Sequence, residues 1–301
     1  MEKVSDVDVL VIGEALIDII DTGSWAVEHV GGSPANVALG LGRRGVGCAL
    51  LTQLGDDPRG AMIVEHLRES NVHVLPESFV LGHTSTAVAR IALNGQAHYE
   101  FDVSWEPFPP PRSVHPRALH VGSVSAFMEP GASSVRQAVE EAQVDVITFD
   151  PNIRPALMPP HDQAVHIFET TASLATAVKM SDEDAAWLYP DLTLDELIGT
   201  VFDMGPDLVA ITMGSRGALV ACREAQVRVP AADVVAVDTI GAGDTFMASV
   251  IHSLLASARP MEQTELEQFA VDAVRAAAIT VARAGADLPW EHELDALEQI
   301  L

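Results

Sequence analysis

The residues from Val234 to Leu255, VVAVDTIGAGDTFMASVIHSLL, join a β-rich run, a glycine turn and an apolar helix. The turn is Gly241-Ala242-Gly243, and Asp244 opens the helix. Phe246, Val250 and Leu254 recur at i, i+4, i+8 beside Met247, Ile251 and Leu255, so this helix is expected to pack into a core. A glycine turn there presents backbone N–H groups at the positive end of a helix, an anion site suited to the charge on a transferring phosphoryl group. Asp244 can be read as a cap alone, but a cap does not require two glycines packed against it. A carboxylate beside an anion hole can accept the proton of a substrate hydroxyl during in-line transfer. A second segment, Gly31-Gly32-Ser33-Pro34-Ala35-Asn36-Val37-Ala38, lets backbone approach a ligand, and Asn36 offers donor and acceptor to a hydroxyl. Taken alone it is equally a loop before a helix.

Other chemistries are disfavoured. Gly40-Leu41-Gly42-Arg43-Arg44-Gly45 matches G-x-G-x-x-G, yet it closes a helix and leads into a strand, the reverse of a dinucleotide site. The only lysines, Lys3 and Lys179, lie outside any G-x-x-x-x-G-K phosphate loop. The 11 histidines contain no H-E-x-x-H, the two cysteines, Cys48 and Cys222, cannot build a zinc site, and no G-x-S-x-G elbow occurs.

The elements that must position these residues alternate along 301 residues, of which 48% are hydrophobic and 20% charged. Val7–Ile12, Cys48–Gln53, Val146–Asp150, Ala177–Met180, Leu208–Thr212, Ala218–Cys222 and Val234–Asp238 read as strands. Asn36–Gly42 and Pro58–Ser70 read as helices, with helical stretches between most later strands. The alternation predicts a parallel sheet covered on both faces. One segment breaks the pattern: Thr86–Leu93 and Gln96–Val103 flank Asn94-Gly95, a strong hairpin signal. Tyr99, Phe101 and Val103 alternate there with His98, Glu100 and Asp102, giving one apolar face. This is expected to be a small β flap, with the proline-rich 107–111 as a stiff return linker. The predicted division is a large domain of residues 1–13, 37–82 and 110–301, and a lid of residues 14–36 and 83–109.

A net charge of −26 argues against nucleic acid and against a basic, lipid-seeking surface. No run is long enough to span a bilayer and MEKVSDVD is no signal peptide, so a cytoplasmic protein with buried thiols is expected.

Asp238–Asp244 (D-T-I-G-A-G-D) and Gly31–Ala38 (G-G-x-x-x-N-x-A) resemble the two signatures of the ribokinase-like (PfkB-type) carbohydrate kinases. Gly13–Asp18 (G-E-A-L-I-D), Leu54-Gly55-Asp56-Asp57-x-x-Gly60 and Thr212-Met213-Gly214-x-x-Gly217 resemble further family motifs in order, so the likeness covers essentially the whole chain. It implies an α/β fold with a doubly wound, mostly parallel sheet, helices on both faces and a small β lid. It implies Asp244 as general base, with Gly241, Ala242 and Gly243 supplying anion-hole amides. Asp18, Gly31, Gly32 and Asn36 would hold sugar hydroxyls. Lys179, Ser181, Thr212, Gly214, Gly217 and Gly243 would line the ATP site. Asp238 and the backbone of Ile240 would meet a monovalent cation, K⁺. Where the family often shows N-x-x-E for Mg²⁺, this chain has Ser181 and Asp184, with Glu183 adjacent. A carboxylate remains available through water, although an acidic helix start explains both residues as well.

Asp150-Pro151-Asn152-Ile153-Arg154 resembles the D-P-N-x-R run of the fructokinase and 2-keto-3-deoxygluconate kinase branch, with Arg154 placed to reach phosphate or substrate. A keto-deoxy acid calls for a cation in the lid, yet no Lys or Arg occurs from Ile91 to Pro111. Tyr99, Phe101, Trp105, Asp102 and Glu106 suit a neutral sugar, with Phe101 more readily a lid-core residue. A fructokinase-like enzyme is the favoured expectation. Ribokinase, 2-keto-3-deoxygluconate kinase and nucleoside kinase are the alternatives within the family, and a catalytically silent sugar-binding regulator is the alternative outside enzymology. A lid edge of alternating apolar residues can pair with a second subunit's lid, which makes a homodimer a candidate assembly.

Overall fold

The computed structural model describes residues 7–91, 97–111, 113–256 and 262–298. In chain order the first strands are β1 (Val9–Ile12), β2 (Leu16–Asp21), β3 (Ala26–Gly31), β4 (Cys48–Leu51), β5 (Leu54–Gly55), β6 (Val72–Val74), β7 (Phe79–Leu81), β8 (Thr86–Ile91) and β9 (Ala97–Asp102). They are followed by β10 (Ala118–Gly122), β11 (Val146–Asp150), β12 (Ala177–Ser181), β13 (Leu208–Thr212), β14 (Ala218–Cys222) and β15 (Gln226–Val229). The helices are α1 (Ser33–Arg43), α2 (Pro58–Glu69), α3 (Ala132–Glu141), α4 (His161–Ala172), α5 (Asp182–Leu188), α6 (Leu194–Met204), α7 (Ala242–Ala256), α8 (Gln263–Val281) and α9 (Glu291–Glu298).

The main sheet runs β15-β14-β13-β12-β11-β10-β1-β4-β6, parallel except where β14 pairs antiparallel with β13 and β15. Its strands are short apolar runs because both faces are covered; VLVI of β1 and CALL of β4 are buried at every position. One face packs against α1, α2, α7 and α8 through Leu39, Ile63, Phe246, Met247, Leu266 and Phe269. The other packs against α3 to α6 through Val135, Phe149, Phe168, Leu188 and Val201. Fully burying one such side chain contributes about 1.5–3 kcal/mol. Among the described residues no helix is long and apolar enough to cross a membrane.

Helix α1 begins at Ser33, earlier than the expected Asn36, because Pro34 fits the first turn, where its missing N–H costs nothing. The G-x-G-x-x-G run indeed closes this helix. A Cβ on Gly40 would stand 2.7 Å from Leu288 and 2.9 Å from Ala248, so the absent side chain lets α1 approach α7.

The lid is a four-stranded sheet, β3-β2-β8-β9, made of two antiparallel pairs joined by a parallel β2–β8 contact. The Asn94-Gly95 turn lies outside the described residues, but the strands on either side pair from Thr86–Asp102 to Ile91–Ala97. Side-chain clamps tie the lid's base to the main domain. Asp57 caps α2 by accepting from Gly60 N at 2.8 Å and also accepts from Thr84 N at 2.7 Å. Gln53 Nε2 donates to Glu106 O at 2.6 Å, and Glu106 N donates to Gln53 Oε1 at 2.7 Å. The expected strand Cys48–Gln53 therefore stops at Leu51.

Two expectations need correction. Val234–Asp238 is not a strand: Val234, Val235 and Val237 are 42%, 85% and 62% exposed, and Val237 N donates to Val281 O. Its β-branched residues run beyond β15, outside the sheet. Trp105, read as a lid aromatic, is buried in the main core against Phe108, with ring centroids 5.6 Å apart.

Candidate active site

Of the residues singled out in sequence, Arg154 follows β11, Ser181 ends β12, which also carries Lys179, and Thr212 ends β13, at the carboxyl edge where open α/β sheets bind ligands. The first turn of α7 is built from a loop that its own side chains close. Asp238 accepts from Ile240 N at 3.0 Å and Gly285 N at 2.9 Å, and these N–H groups hold its pKa below the ordinary value. Gly241 has φ +79, and a Cβ there would stand 2.8 Å from Ala286, so a side chain is excluded by conformation and by space. Gly241 O accepts from Thr245 N and Thr245 Oγ1, starting the helix. In the first turn of a helix the opening N–H groups, here those of Gly243 and Asp244, have no partner within the helix.

Asp244 is buried, and α1 supplies its partners. Ser33 Oγ donates to Oδ1 at 2.6 Å and Asn36 Nδ2 donates to Oδ2 at 2.8 Å. Burial raises its pKa, while Ser33, Asn36, Lys179 and Arg154 oppose that rise. The result is a desolvated carboxylate whose charge is held by two donors and two cations. Such a group can take a hydroxyl proton.

Asp18 stands on β2, exposed on one side, with its carboxylate lying against Gly31. Partial burial raises its pKa, against the pull of His29 and Arg154. Gly31 makes room for it: a Cβ there would lie 2.0 Å from Asp18 Oδ2. Gly32 has φ +104 and lies against Glu14 O. Arg154 is exposed, with Nη1 donating to Ile153 O at 3.1 Å, and among the described residues no carboxylate lies within ion-pair distance of it. Its charge acts on both Asp18 and Asp244.

On the lid, the register puts Asp18 opposite Ala87 and Ala87 opposite Phe101, while Tyr99 lies one row outward beside Ala89. Tyr99 is 60% exposed and stacks on Phe101 with centroids 6.2 Å apart. The aromatic in the Asp18 row is thus Phe101. Arg90 lies on the opposite face and is paired with Asp21 and Glu100.

The β13–β14 connection carries Thr212, Gly214 and Gly217. Gly214 has φ +53 and Gly217 φ +85, and a Cβ on Gly217 would meet Val229 O at 1.9 Å. Met213 N donates to Gly217 O at 2.7 Å, and Arg216 pairs with Asp182. Ser181 and Asp184 form a reciprocal capping box on α5, and Asp184 Oδ1 also accepts from Ile153 N at 2.8 Å. Glu183 is exposed. Among the described residues no three acidic, His or Cys side chains are grouped to hold a metal ion. Both carboxylate oxygens of Asp184 already accept backbone N–H groups, from Ile153 and from Ser181.

Sequence reasoning missed Ser33 and Glu14, and did not anticipate that Asp150 and Lys179 pair. Glu14 is buried and accepts from Ser125 N at 3.0 Å, and burial raises its pKa. Lys179 lies buried beneath Gly243 with its Nζ on Asp150 Oδ2 at 2.7 Å. Ser123 and Asn152, just past adjacent strand ends, have φ 56 and φ 39, strain that clusters at functional sites. The capping potential of Ser33 before Pro34 was the one local signal available for it.

A glycine-turn helix N-terminus with a buried carboxylate, on a doubly wound sheet under a β lid, defines a phosphotransferase of the ribokinase-like class. Residues 6–293 match the pfkB family carbohydrate kinase model, and the chain belongs to that family. A fructokinase of Rhizobium leguminosarum bv. trifolii is 33% identical over 259 residues, 82% of this chain and 79% of the relative. A fructokinase of Klebsiella pneumoniae is 30% identical over 300 residues, 94% of this chain and 97% of the relative. The structure of a Vibrio cholerae O395 fructokinase double mutant, with fructose, ADP and potassium bound, is 26% identical with a TM-score of 0.78, covering 97% of this chain and 99% of that one. The protein is an ATP-dependent carbohydrate kinase.

Proposed function

We propose that this kinase phosphorylates a hydroxymethyl group of a neutral ketose, with fructose as the first candidate. The observation that carries the reading is the Asp244 carboxylate, fixed by Ser33 and Asn36 at the N-terminus of α7. Asp18, Asn36 and the backbone at Gly31-Gly32 orient the sugar hydroxyls. Asp244 accepts the proton of the attacking hydroxyl, while the N–H groups of the Gly241–Asp244 turn bind the transferring phosphoryl group. Arg154, free of any carboxylate partner among the described residues, reaches the same group. Magnesium, when bound, neutralises the nucleotide phosphates. The β13–β14 turn at Thr212, Gly214 and Gly217, with Ser181, borders the ATP. Potassium would lie at Asp238 and the Ile240 carbonyl; potassium use in the family is supported by the Vibrio cholerae O395 fructokinase, whose structure holds a potassium ion.

Neutral-sugar preference is supported by the lid: its one described Arg, Arg90, lies off the Asp18 face and is already paired. Relatives named fructokinase at 30–33% identity point the same way. The lid's exposed Ile20, Val27, Tyr99 and Phe101 favour a second copy of the chain closing on it, in the cytoplasm where MgATP is available. The test is ADP release with MgATP against fructose, ribose, tagatose, 2-keto-3-deoxygluconate, adenosine and inosine, with Asp244→Asn alongside. Turnover on fructose, reduced about 10²–10⁴-fold in the variant, is expected. Turnover on the keto-deoxy acid instead would refute the charge argument, and an active Asp244→Asn would refute the base.

A further inference from the structure

Beneath the N-terminal end of α7 lies a buried ion pair whose lysine, Lys179, also acts on the Asp244 carboxylate. Lys179 Nζ and Asp150 Oδ2 are 2.7 Å apart, with side chains 5% and 2% exposed. They are neighbours on adjacent strands, one residue beyond the Phe149–Val178 pair. Asp150 Oδ1 is buried without a hydrogen-bond partner among the described residues. The ammonium also reaches α7: a Cβ on Gly243 would stand 2.9 Å from Nζ. The space left by the absent side chain is therefore next to a buried positive charge. A pair buried for stability alone gains little, because desolvating both ions offsets their attraction.

We propose that Lys179 is a positioning residue of phosphoryl transfer: clamped by Asp150, its ammonium underlies Gly243 and holds a fixed positive charge against the anion-binding turn and the Asp244 carboxylate. This rests on the assignment of Asp244 as base. The surrounding charges are few. Burial works against the Lys179 charge, but Asp150 on β11, then Asp184 on α5 and Asp244 on α7, hold its pKa above the ordinary value. Burial pushes Asp150 up to about 6, with Lys179 opposing and Asp184 and Asp244 adding. His120 on β10, hydrogen-bonded to Thr148 Oγ1 at 2.9 Å, is pushed down to about 3 by burial and by Lys179, so it stays neutral. Asp244 faces Ser33 and Asn36 from α1, Lys179 from β12 and Arg154 from the loop after β11. One buried cation thus serves three buried carboxylates.

The test is the acid limb of kcat/KM against pH, read in two variants with opposite expectations. Lys179→Met removes the cation; the limb moves up by about one unit and kcat falls at least about tenfold, with the sugar KM changed less. Asp150→Asn removes the anion while its amide oxygen still accepts from Nζ, and the limb moves down. Damage to the fold lowers activity in both variants but does not move the limb in opposite senses. The neutral pair Lys179→Met with Asp150→Asn is the third variant, with a melting temperature near that of the wild type and kcat still at least about tenfold down. If neither variant carrying Lys179→Met folds, the downward limb in Asp150→Asn decides. A limb that stays in place, or wild-type kcat in the neutral pair, overturns the proposal. Asp244→Asn separates the two readings: if it is active, the base assignment falls; if it is dead while the limbs do not move, only the role of Lys179 falls.

Discussion

Ser33→Ala removes one of the two donors that hold Asp244. The bond lost is an O–H donated to a buried carboxylate at 2.6 Å. A hydrogen bond to an ionised group contributes about 1.5–3 kcal/mol, and one pKa unit corresponds to about 1.4 kcal/mol. Ser33 is half-buried, so water replaces part of the loss, and a rise of about one unit in the Asp244 pKa is expected. Burial already raises this pKa, and the variant adds to that rise because Ser33 is the first of the groups opposing it. The sign follows from the role. A base acts deprotonated, so raising its pKa removes active enzyme at low pH and leaves the high-pH plateau nearly intact. The assay is kcat/KM for the sugar by coupled ADP release from pH 5 to 8.5, with thermal melting as the control for folding. The plateau is expected to stay within about threefold while the acid limb moves up by about one unit, and Ser33→Thr restores the limb by returning the hydroxyl. A limb that stays in place or moves down, or a loss equal at every pH, would refute the reasoning.

Two further outcomes rest on the scaffold. Asp57→Ala removes the α2 cap and the hold on Thr84 together, so calorimetry is expected to show a loss of about 1–3 kcal/mol, with the sugar KM rising as the lid base loosens; a melting temperature within a degree of wild type would contradict this. Gly241→Ala sets a Cβ 2.8 Å from Ala286 at φ +79, and turnover is expected to fall more than tenfold as the anion-binding turn shifts; unchanged kcat in a folded variant would show that the turn tolerates the strain.

Much of the scaffold could be read locally. Leu208–Thr212, Ala218–Cys222 and Val146–Asp150 are strands with the bounds their apolar runs suggest, because a strand covered on both faces must be apolar throughout. The run at Val234–Asp238 has the same composition and is no strand, since whether a sheet edge is available to it is not a local property. The β2–β3 hairpin went unread although Gly23, at φ +79, marks its turn. Trp105 went astray for a related reason: an aromatic beside the lid is drawn into the core by Phe108 and Gly131, partners whose positions only packing reveals.

The amino-acid sequence by itself determined the glycine turn, the start of α7, the alternation of strand and helix, and the residue types at the site. These follow from backbone conformation and from the periodicity of neighbouring side chains. Only the tertiary structure decided that Ser33 and Asn36 meet Asp244 across more than two hundred residues of chain. It alone set Lys179 on Asp150 under Gly243, and Phe101 in the row of Asp18. Such contacts depend on which strand ends the parallel topology brings side by side, and on how closely glycine-lined helices can approach, neither of which is carried by any short stretch of residues.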